Sequence, residues 1–500
     1  MGRSKKTVGR GSKRRASSSE ESEYEEKSTA SKRSKGRPQQ AGSIHDIHEF
    51  TEDDGKEFTS SLVNWYNKNK RDLPWRSLSK SLSSTDKAYS VLVSEVMLQQ
   101  TQVVTVIPYY TKWMSRWPTF SHLAKASLEE VNEVWAGMGY YSRAKRLWEA
   151  AKKVHEELNA QVPLTSVELQ EKLPGVGRYT AGAVASISFG EKVAAVDGNV
   201  VRVLSRVRCI GADQTSKVVL DHIWKLSEQL VPSKEPGNYN QAMMDLGATI
   251  CTPKKPSCKS CPVSHVCFAY QRTQRTNPLK ELQVDLSKPV IEDIENVPCS
   301  LCLKQPWDAE LGVMNFPQKA KKAPPRKEVT LVCVINASDG DKDEYLLAKR
   351  PQGGLLAGLW EFPNILFGKE RNETEERTEL DETLLRKQWG ASNFTTQPHF
   401  VGEVPHVFSH IHQLYVVYSL RLTKKSDVSN KSDTETVWMD SDEIMSSAIS
   451  TAMKKVFNEF TASKTKGSLG KTGKGRPRSK KTSVDTSSKK VSDFFKKIEK

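Results

Sequence analysis

The sequence predicts a mostly helical N-terminal domain, joined by a linker to an α+β C-terminal domain, with a disordered basic tail at each end. Three observations lead to this prediction. The basic charge is concentrated in the tails, apolar residues of the first half recur at helical spacing, and strand-like segments follow a linker. The length of 500 residues predicts two or three domains, and an apolar fraction of 37% predicts disordered segments.

The tails, residues 1–44 and 461–500, account for the net charge of +16. The first 40 residues contain 12 basic and 5 acidic side chains, and the last 40 contain 13 and 3. The segments KKTVGRGSKRR and KGRPRSKK are typical of nuclear localisation signals. The alternative is that they are solvated tails that carry no localisation signal. A mitochondrial form stays open, because one sequence does not reveal alternative starts. We expect no membrane span, since no apolar run reaches 18 residues.

The body of the chain divides into two domains. Residues 45–285 contain helical patterns such as SLEEVNEVWAGMGYYSRAKRLWEAAKKVHEEL, in which Ser127 and Glu130 form a capping box. Residues 286–327 form the linker. Residues 328–460 contain the strand-like segments EVTLVCVINA and EYLLAKR around an Asp-Gly turn, followed by HQLYVVYSLRL. This order predicts α+β structure after the linker.

Four cysteines lie close together near the end of the helical domain. Cys251, Cys258, Cys261 and Cys267 are separated by six, two and five residues. Thiolates this close hold either zinc or an iron–sulfur cluster, and the spacing alone does not choose between them. The cluster therefore predicts a metal site rather than disulfides.

The stretch LPGVGRYTAG joins two helical patterns through a Pro and two glycines. Gly175 and Gly177 allow backbone angles that other residues avoid, so the turn around Val176 can approach a phosphate. N–H groups at the start of the next helix attract that phosphate. Twenty residues later, AAVDGNVVRVLSR contains Asp197, although an Asp-Gly pair by itself most often marks a turn.

Together these motifs resemble the endonuclease III superfamily of DNA glycosylases, over about residues 50–460. LPGVGRYTAG matches its helix-hairpin-helix, and the cysteine spacing matches its 4Fe-4S loop. The resemblance implies a helix-hairpin-helix glycosylase domain, a 4Fe-4S cluster on the four cysteines, and a catalytic role for Asp197. It also implies a Nudix-like C-terminal domain, since AKRPQGGLLAGLWEFPN resembles the opening of that fold.

Three features favour the adenine-removing branch of this superfamily. Glu95 comes just before MLQQTQ, and Tyr179 takes the position where bifunctional relatives have a nucleophilic Lys. Phe408, Ser409 and His410 match the motif with which this branch recognises 8-oxoguanine. The resemblance implies a monofunctional enzyme of base excision repair, which removes adenine mispaired with 8-oxoguanine or guanine in double-stranded DNA.

The chemistry of adenine removal assigns opposite protonation states to two carboxyl groups. A glycosylase flips the base out of the duplex, and adenine leaves only when a ring nitrogen is protonated. Glu95, among apolar neighbours, is the candidate acid because a dry site raises a carboxyl pKa. An ionised Asp197 then stabilises the oxocarbenium-like sugar, while Tyr179 and Asn199 orient Asp197 and the water.

By resemblance, further residues contact the flipped base and the duplex. Trp75, Arg76 and Gln241 line the adenine pocket, whereas Leu98, Gln100, Thr101 and Tyr140 probe or wedge the duplex. For Tyr140 and Tyr141, core packing is an equal alternative.

The linker contains a Cys-x-x-Cys pair, Cys299 and Cys302. Animal relatives have a third Cys seven residues earlier and bind zinc there, but this chain has Glu292 at that position. His48 or His45 completes a zinc site in one interpretation, and no zinc binds in the other.

The C-terminal tail contains SKKVSDFF, which resembles a sliding-clamp binding peptide. Its apolar contacts would be Val491, Phe494 and Phe495, although Ser488 replaces the usual Gln. An exposed Phe-Phe pair in a basic tail favours a partner. We otherwise expect a monomer.

Three other functions are weighed against this interpretation. A pyrimidine-specific glycosylase with lyase activity is disfavoured by Tyr179, and a non-catalytic DNA-binding scaffold by Glu95 together with Asp197. A Nudix nucleotide hydrolase needs the order Arg-Glu-x-x-Glu-Glu to hold magnesium, and the acidic segment FGKERNETEERTELDETLL lacks it.

Overall fold

A computed structural model describes residues 46–78, 82–275, 299–318, 324–339, 342–351, 353–367, 398–408, 410–425 and 434–468. Ser409, His45, Glu292, the acidic segment from residue 368 onwards and the apolar residues of the clamp-like peptide lie outside the described residues.

The N-terminal part of the chain forms the predicted helices. They are α1 (Glu52–Asn69), α2 (Pro74–Leu78), α3 (Ser84–Leu98), α4 (Val103–Arg116), α5 (Phe120–Ala124), α6 (Leu128–Trp135), α7 (Tyr141–Lys152), α8 (Ser166–Lys172), α9 (Arg178–Val184), α10 (Gly198–Val207), α11 (Lys217–Leu230), α12 (Pro236–Thr249) and α13 (Phe268–Arg275). The π-helical turns Lys153–Glu157 and Ala185–Phe189 extend α7 and α9. The capping box of Ser127 and Glu130 at the start of α6 is confirmed.

Two apolar cores make up the helical domain. The first is built mainly from α3 to α9, and α3 is buried on all sides from Ala88 to Met97. The second is built mainly from α1, α10, α11 and α12. A helix that is buried on every side holds its polar side chains in fixed positions, and Glu95 is one of the buried residues of α3.

Residues 299–318, which the sequence places in the linker, pack against the helical domain. The carbonyl of Leu301 accepts the N–H groups of Gly211 and Ala212 at 2.8 and 3.1 Å. Phe316 is buried in the second core, and Arg206 Nε donates to its carbonyl at 3.1 Å. This part of the linker is therefore a component of the helical domain.

Over the residues that the structure describes, the C-terminal part of the chain forms a seven-stranded mixed sheet. Its strands are β1 (Arg326–Asp339), β2 (Lys342–Lys349), β3 (Trp360–Glu361), β4 (Asn364–Phe367), β5 (His399–Val407), β6 (Ile411–Leu422) and β7 (Thr436–Met439). The order is β3-β2-β1-β6-β5, with β4 paired to β1 and β7 to β2. β1 and β6 are parallel, and the other pairs are antiparallel. The three strands predicted from sequence, β1, β2 and β6, are confirmed.

Two helices follow the sheet, α14 (Ser441–Ser446) and α15 (Thr451–Ser468). α15 packs the side chains of Val456, Phe457 and Phe460 into the core beneath the sheet. It extends past residue 460, where the sequence predicts the domain to end, and Lys464 in this extension donates to Asp343 on β2 at 2.9 Å. None of the described helices is long and apolar enough to cross a membrane.

The two domains contact each other through α6 and the segment around β3. Trp360 Nε1 donates to Glu129 Oε1 at 3.1 Å, and Lys349 Nζ lies 3.9 Å from the same carboxylate. Leu359 and Ala448 pack into the first helical core. The sheet therefore lies against the helical domain through both polar and apolar contacts.

Candidate active site

A cleft of about 1960 Å³ is lined by residues from both helical cores. Its walls come from α2, α3, the π-helical turn after α9, the start of α10, α12 and the packed linker segment. The predicted catalytic residues Glu95, Tyr179, Asp197 and Asn199 all line it. The structure thus brings together residues that are more than a hundred positions apart in sequence.

Glu95 projects from α3 into this cleft and is only 7% exposed. Burial raises the pKa of Glu95 to about 7, and the negative charge of Asp197 adds to the increase. A hydrogen bond from Tyr179 and the charge of Arg76 act in the opposite direction. Glu95 is therefore buried, as the sequence predicts, and burial favours the protonated form of its carboxyl group.

Tyr179 follows the Gly-rich turn and reaches Glu95. Its hydroxyl donates to Glu95 Oε2 at 2.5 Å and lies 3.6 Å from Met244 Sδ. Burial and the adjacent negative charges of Glu95 and Asp197 hold the pKa of Tyr179 well above its usual range. The sequence assigns Tyr179 to orienting Asp197, whereas the structure places its hydrogen bond on Glu95.

Asp197 is the N-cap residue of α10 and accepts three hydrogen bonds. Its Oδ1 accepts the N–H groups of Asn199 and Val200 at 2.9 Å each, and its Oδ2 accepts Asn199 Nδ2 at 2.6 Å. Two donors come from the helix start, where an ionised carboxylate is favoured. The contact predicted between Asn199 and Asp197 is present.

Arg202 is a residue of the site that the sequence motifs did not indicate. Its Nη2 donates to Asn199 Oδ1 and to the carbonyl of Gly247, at 2.7 Å each. Its Nε donates to the carbonyl of Cys251 at 2.8 Å. Arg202 therefore connects the catalytic carboxylate, through Asn199, to the first of the four clustered cysteines.

The base-side wall of the cleft contains the three residues predicted to line the adenine pocket. Trp75 is 6% exposed and packs edge-on against Tyr110 with ring centroids 5.3 Å apart. Arg76 Nε donates to Gln241 Oε1 at 2.9 Å. Asp245, behind these residues on α12, pairs with both Arg71 and Arg76. These ion pairs join residues that are far apart in sequence, so a short sequence motif does not predict them.

The predicted hairpin is formed by α8, the turn at Pro174–Gly177 and α9. Gly175 has φ +76°, and a Cβ atom there would lie 2.7 Å from Arg146 Cβ, so the turn requires glycine at this position. Val176 is buried, which anchors the tip. Apart from its chain neighbours, no described residue has an atom within 4 Å of the position that a Cβ of Gly177 would take, so the backbone at the start of α9 can be approached closely by a phosphate.

Comparison with known proteins identifies the chain's relatives. Residues 93–229 match the HhH-GPD superfamily base excision DNA repair protein, and residues 332–459 match the NUDIX domain. A solved thermostable thymine-DNA glycosylase is 30% identical, with a TM-score of 0.39, covering 44% of this chain and 98% of that one.

Two curated relatives decide the family. Mouse adenine DNA glycosylase is 48% identical over 425 residues, which cover 84% of this chain and 81% of the mouse protein. The human enzyme is 49% identical over 407 residues, which cover 81% and 74%. This chain belongs to the adenine DNA glycosylase family.

The chain is therefore a DNA-binding N-glycosylase of base excision repair. The resemblance to the endonuclease III superfamily and the Nudix-like character of the second domain are confirmed. A pyrimidine-specific enzyme and a non-catalytic scaffold are both excluded by the family.

Two turns of the glycosylase contain the residues predicted to probe the duplex, one after α3 and one just before α7. Leu98 ends α3, and Gln100 and Tyr140 adopt left-handed backbone angles with φ of 53° and 51°. Tyr140 is 43% exposed, whereas Tyr141 is buried in the first core. Core packing is thus the role of Tyr141, and Tyr140 stays available to contact DNA.

Arg143 holds both turns of the glycosylase. Its Nη1 donates to the carbonyls of Val96 and Met97 at 3.0 Å each, and its Nη2 donates to Thr101 Oγ1 and the Gly139 carbonyl at 3.2 Å each. A buried guanidinium with several carbonyl partners fixes these turns relative to each other.

The four clustered cysteines of the glycosylase surround a small cavity between α10, α12 and α13. Its walls are otherwise mainly apolar, and Arg206 Nη1 donates to Cys251 Sγ at 3.3 Å. Four thiols around one cavity form a donor set that fits an iron–sulfur cluster or a zinc ion, because both bind thiolates.

A separate candidate metal site lies at the packed linker segment. Ligand atoms of His48, Cys299 and Cys302 all lie within 4.8 Å of one another. His48 Nε2 lies 3.3 Å from Cys302 Sγ, and Nδ1 lies 2.9 Å from the Arg208 carbonyl. A carbonyl only accepts, so Nδ1 carries the proton and Nε2 presents its lone pair to the cysteines.

The C-terminal turn predicted to recognise 8-oxoguanine connects β5 to β6. Phe408 N–H donates to the Ile411 carbonyl at 2.8 Å, which closes the turn. Phe408 packs edge-on against His406 with ring centroids 4.5 Å apart, and His410 is exposed. Phe408 is therefore held at the end of β5, and the side chain of His410 is exposed to solvent.

Proposed function

We propose that this enzyme excises adenine paired with 8-oxoguanine or guanine by acid-assisted cleavage of the N-glycosidic bond, without cutting the strand. One observation carries the proposal: a buried Glu95, with its pKa raised to about 7 and bonded to Tyr179, shares a cleft with Asp197. One carboxyl group keeps its proton and the other accepts hydrogen bonds, as acid-assisted glycoside cleavage requires.

Glu95 acts as the general acid. The flipped adenine enters the cleft, and Glu95 transfers its proton to a ring nitrogen as the bond to the sugar breaks. The hydrogen bond from Tyr179 Oη fixes the orientation of the Glu95 carboxyl group. The leaving base is then neutral, which lowers the barrier to its departure.

Asp197 stabilises the sugar after the base departs. The oxocarbenium-like sugar carries positive charge, and a nearby carboxylate stabilises it or adds to it covalently. Three donated hydrogen bonds hold Asp197 in place, so no reorganisation is needed when the charge develops. Tyr179 has no amine to form a Schiff base, which supports a monofunctional enzyme.

A duplex with adenine opposite 8-oxoguanine tests the proposal directly. The enzyme should leave a strand that breaks only after treatment with mild base, because the product is an adenine-free site. Strand breaks before base treatment would contradict the monofunctional mechanism, and an intact adenine would contradict the proposed substrate.

We propose that the Phe408–His410 turn distinguishes 8-oxoguanine from guanine. Both mispairs present the same adenine, so groups near the scissile bond do not sense the oxidised base. Oxidation adds an oxygen at C8 and a hydrogen on N7, and a hydroxyl such as that of Ser409 accepts from the new N–H. His410 follows Ser409 in the motif, and its exposure supports a contact with phosphate or sugar.

Replacing Ser409 and His410 together by alanine should reduce the preference for 8-oxoguanine over guanine by about ten- to a hundredfold. Single-turnover rates on the two mispairs give this ratio. His412→Ala, two positions further on in β6, is the matched control and should keep the wild-type ratio. Equal slowing on both mispairs would assign the turn a structural role only.

We propose that Cys251, Cys258, Cys261 and Cys267 bind a 4Fe-4S cluster. All four cysteines line one small cavity, their sequence spacing resembles that of a 4Fe-4S loop, and Arg206 donates to Cys251 Sγ, which compensates thiolate charge there. The cluster would be structural, holding the loop in which Lys254, Lys255 and Lys259 are exposed towards solvent. These lysines would face DNA phosphates.

Cys258→Ser should remove the visible brown absorbance and weaken duplex binding by about tenfold or more, since the loop loses its support. Iron and sulfide analysis of the wild type provides the reference. A colourless wild type that contains zinc alone would contradict the cluster.

For the linker, we propose that His48, Cys299 and Cys302 bind a zinc ion. Cys302→Ser should then lower bound zinc by one equivalent while iron content is kept.

The tails support two further proposals. The segment KKTVGRGSKRR favours nuclear import, with a mitochondrial form left open, and Val491, Phe494 and Phe495 favour a sliding clamp as partner. A chain ending at residue 487 should excise adenine from short duplexes at the full rate and lose clamp binding in a pull-down. Unchanged clamp binding would contradict a contact between the clamp and Phe494–Phe495.

Deletion of residues 1–40 together with the KGRPRSKK segment should exclude the protein from the nucleus.

A further inference from the structure

Asp245 is a buried carboxylate that the proposed mechanism does not use. Its side chain is 1% exposed and lies behind the wall of the cleft. Arg71 donates to Oδ1 at 2.9 and 2.6 Å, and Arg76 donates to Oδ2 at 2.8 Å and to Oδ1 at 3.1 Å. Two guanidinium groups therefore hold a single carboxylate by several charge-assisted hydrogen bonds, and it holds them in turn.

Arg76 transmits this constraint to Gln241 on the cleft wall. Arg76 Nε donates to Gln241 Oε1 at 2.9 Å, and Gln241 Nε2 donates to the Gly237 carbonyl at 3.2 Å. Turning the amide over would set two donors against each other at Arg76 and two acceptors against each other at Gly237. The amide of Gln241 is therefore locked in one orientation.

The locked amide presents a defined pattern to a base in the cleft. By valence, Oε1 accepts one more hydrogen bond and Nε2 donates one more. Adenine offers a matching edge, because its 6-amino group donates and its N7 accepts. A 6-oxo purine offers an oxygen where adenine has the amino group, and that oxygen would face Oε1.

We propose that Asp245 is a positioning residue for base specificity. It holds Arg76 so that the amide of Gln241 accepts from the 6-amino group of adenine and rejects a 6-oxo purine. Weakening the ion pair between Asp245 and Arg76 would let the side-chain amide of Gln241 turn over, so that Nε2 could donate to the 6-oxygen of a 6-oxo purine. This inference rests on the proposed entry of a flipped purine into the cleft.

The test compares release of adenine and of hypoxanthine, its 6-oxo counterpart, placed opposite the same base in one duplex sequence. Single-turnover rates are measured for the full-length wild type, Asp245→Asn and Arg76→Lys. Asp245→Asn removes the charge of the anchor, whereas Arg76→Lys keeps a cation for Asp245 and removes the Nε–H that locks Gln241. Each variant should lower the adenine-to-hypoxanthine rate ratio by about tenfold or more. The intrinsic lability of each base cancels in the comparison with wild type.

Met243→Ala is the matched control, because Met243 is a fully buried apolar residue of the same helix and has no group to form an ion pair. It should slow both substrates equally and keep the ratio. An unchanged ratio in both Asp245→Asn and Arg76→Lys would overturn the inference, whatever their absolute rates. Failure of the proposed function is distinguishable, because it would appear in the wild type as an inability to release adenine opposite 8-oxoguanine.

Discussion

Glu95→Gln is expected to slow adenine release by about a hundred- to ten-thousandfold while duplex binding stays near that of the wild type. Gln has the shape of Glu and still accepts the hydrogen bond from Tyr179, but it carries no acidic proton. Single-turnover excision and a binding isotherm on the same duplex measure the two effects. Activity within tenfold of wild type would remove Glu95 from the role of acid.

The pH dependence adds a signature that a purely structural role would not give. Because the pKa of Glu95 is raised to about 7, wild-type release should fall as the pH rises through that value. Tyr179→Phe is the matched comparison: it deletes a hydrogen bond that lowers the pKa of Glu95, so this decline should move to higher pH. A decline at the wild-type pH would contradict the assignment.

The same pKa predicts a change in stability. The folded state keeps a proton on Glu95 that the unfolded chain loses above its ordinary carboxyl pKa of 4.5, so stability decreases as the pH rises from 4.5 to about 7. The loss approaches about 3 kcal/mol above that window. Glu95→Gln lacks this titration, so its melting temperature should exceed that of the wild type increasingly between pH 5 and 8. Parallel curves would indicate an ordinary pKa.

Asp197→Asn is expected to slow adenine release by about a hundred- to a thousandfold, because the charge that stabilises the sugar is lost. The fold should survive, since Asn also caps helices and its Oδ1 can accept the N–H groups at the start of α10. The variant should therefore bind the duplex and keep the adenine in place. Single-turnover excision measures the rate, and thermal unfolding measures the fold.

Asp440→Asn provides a matched control for the same substitution. Asp440 caps α14 with Oδ1 2.9 Å from the N–H groups of Asp442 and Glu443, which repeats the geometry at Asp197. It lies in the C-terminal domain and outside the cleft walls. Its variant should release adenine at the wild-type rate. If both variants slowed release equally, helix capping and not charge would explain the effect at Asp197.

Local patterns were sufficient for much of the fold and the site. Helical spacing predicted the first domain, and β-branched runs predicted β1, β2 and β6, because these signals depend on neighbours within a few residues. Glu95, Asp197 and Tyr179 were predicted from motifs of the same short range, and the structure brings all three to one cleft. The end of α15 was not predicted, because Lys464 gains its partner Asp343 from a distant strand.

Choices between equivalent residues required the tertiary structure. Tyr140 and Tyr141 are adjacent and alike in sequence, and only packing makes one exposed and the other buried. The hydrogen bond of Tyr179 to Glu95, rather than to Asp197, likewise depends on how α3 approaches α9.

The sequence by itself determined the order of the domains, the cysteine loop, the Gly-rich hairpin and the identity of the two carboxyl groups, because each is written in a short contiguous stretch. The tertiary structure decided how deeply Glu95 is buried and which group its carboxyl contacts, and it revealed Arg202 and Asp245 as parts of the site. The physical reason is that desolvation and buried ion pairs depend on contacts between residues far apart in sequence, and no local pattern encodes those contacts.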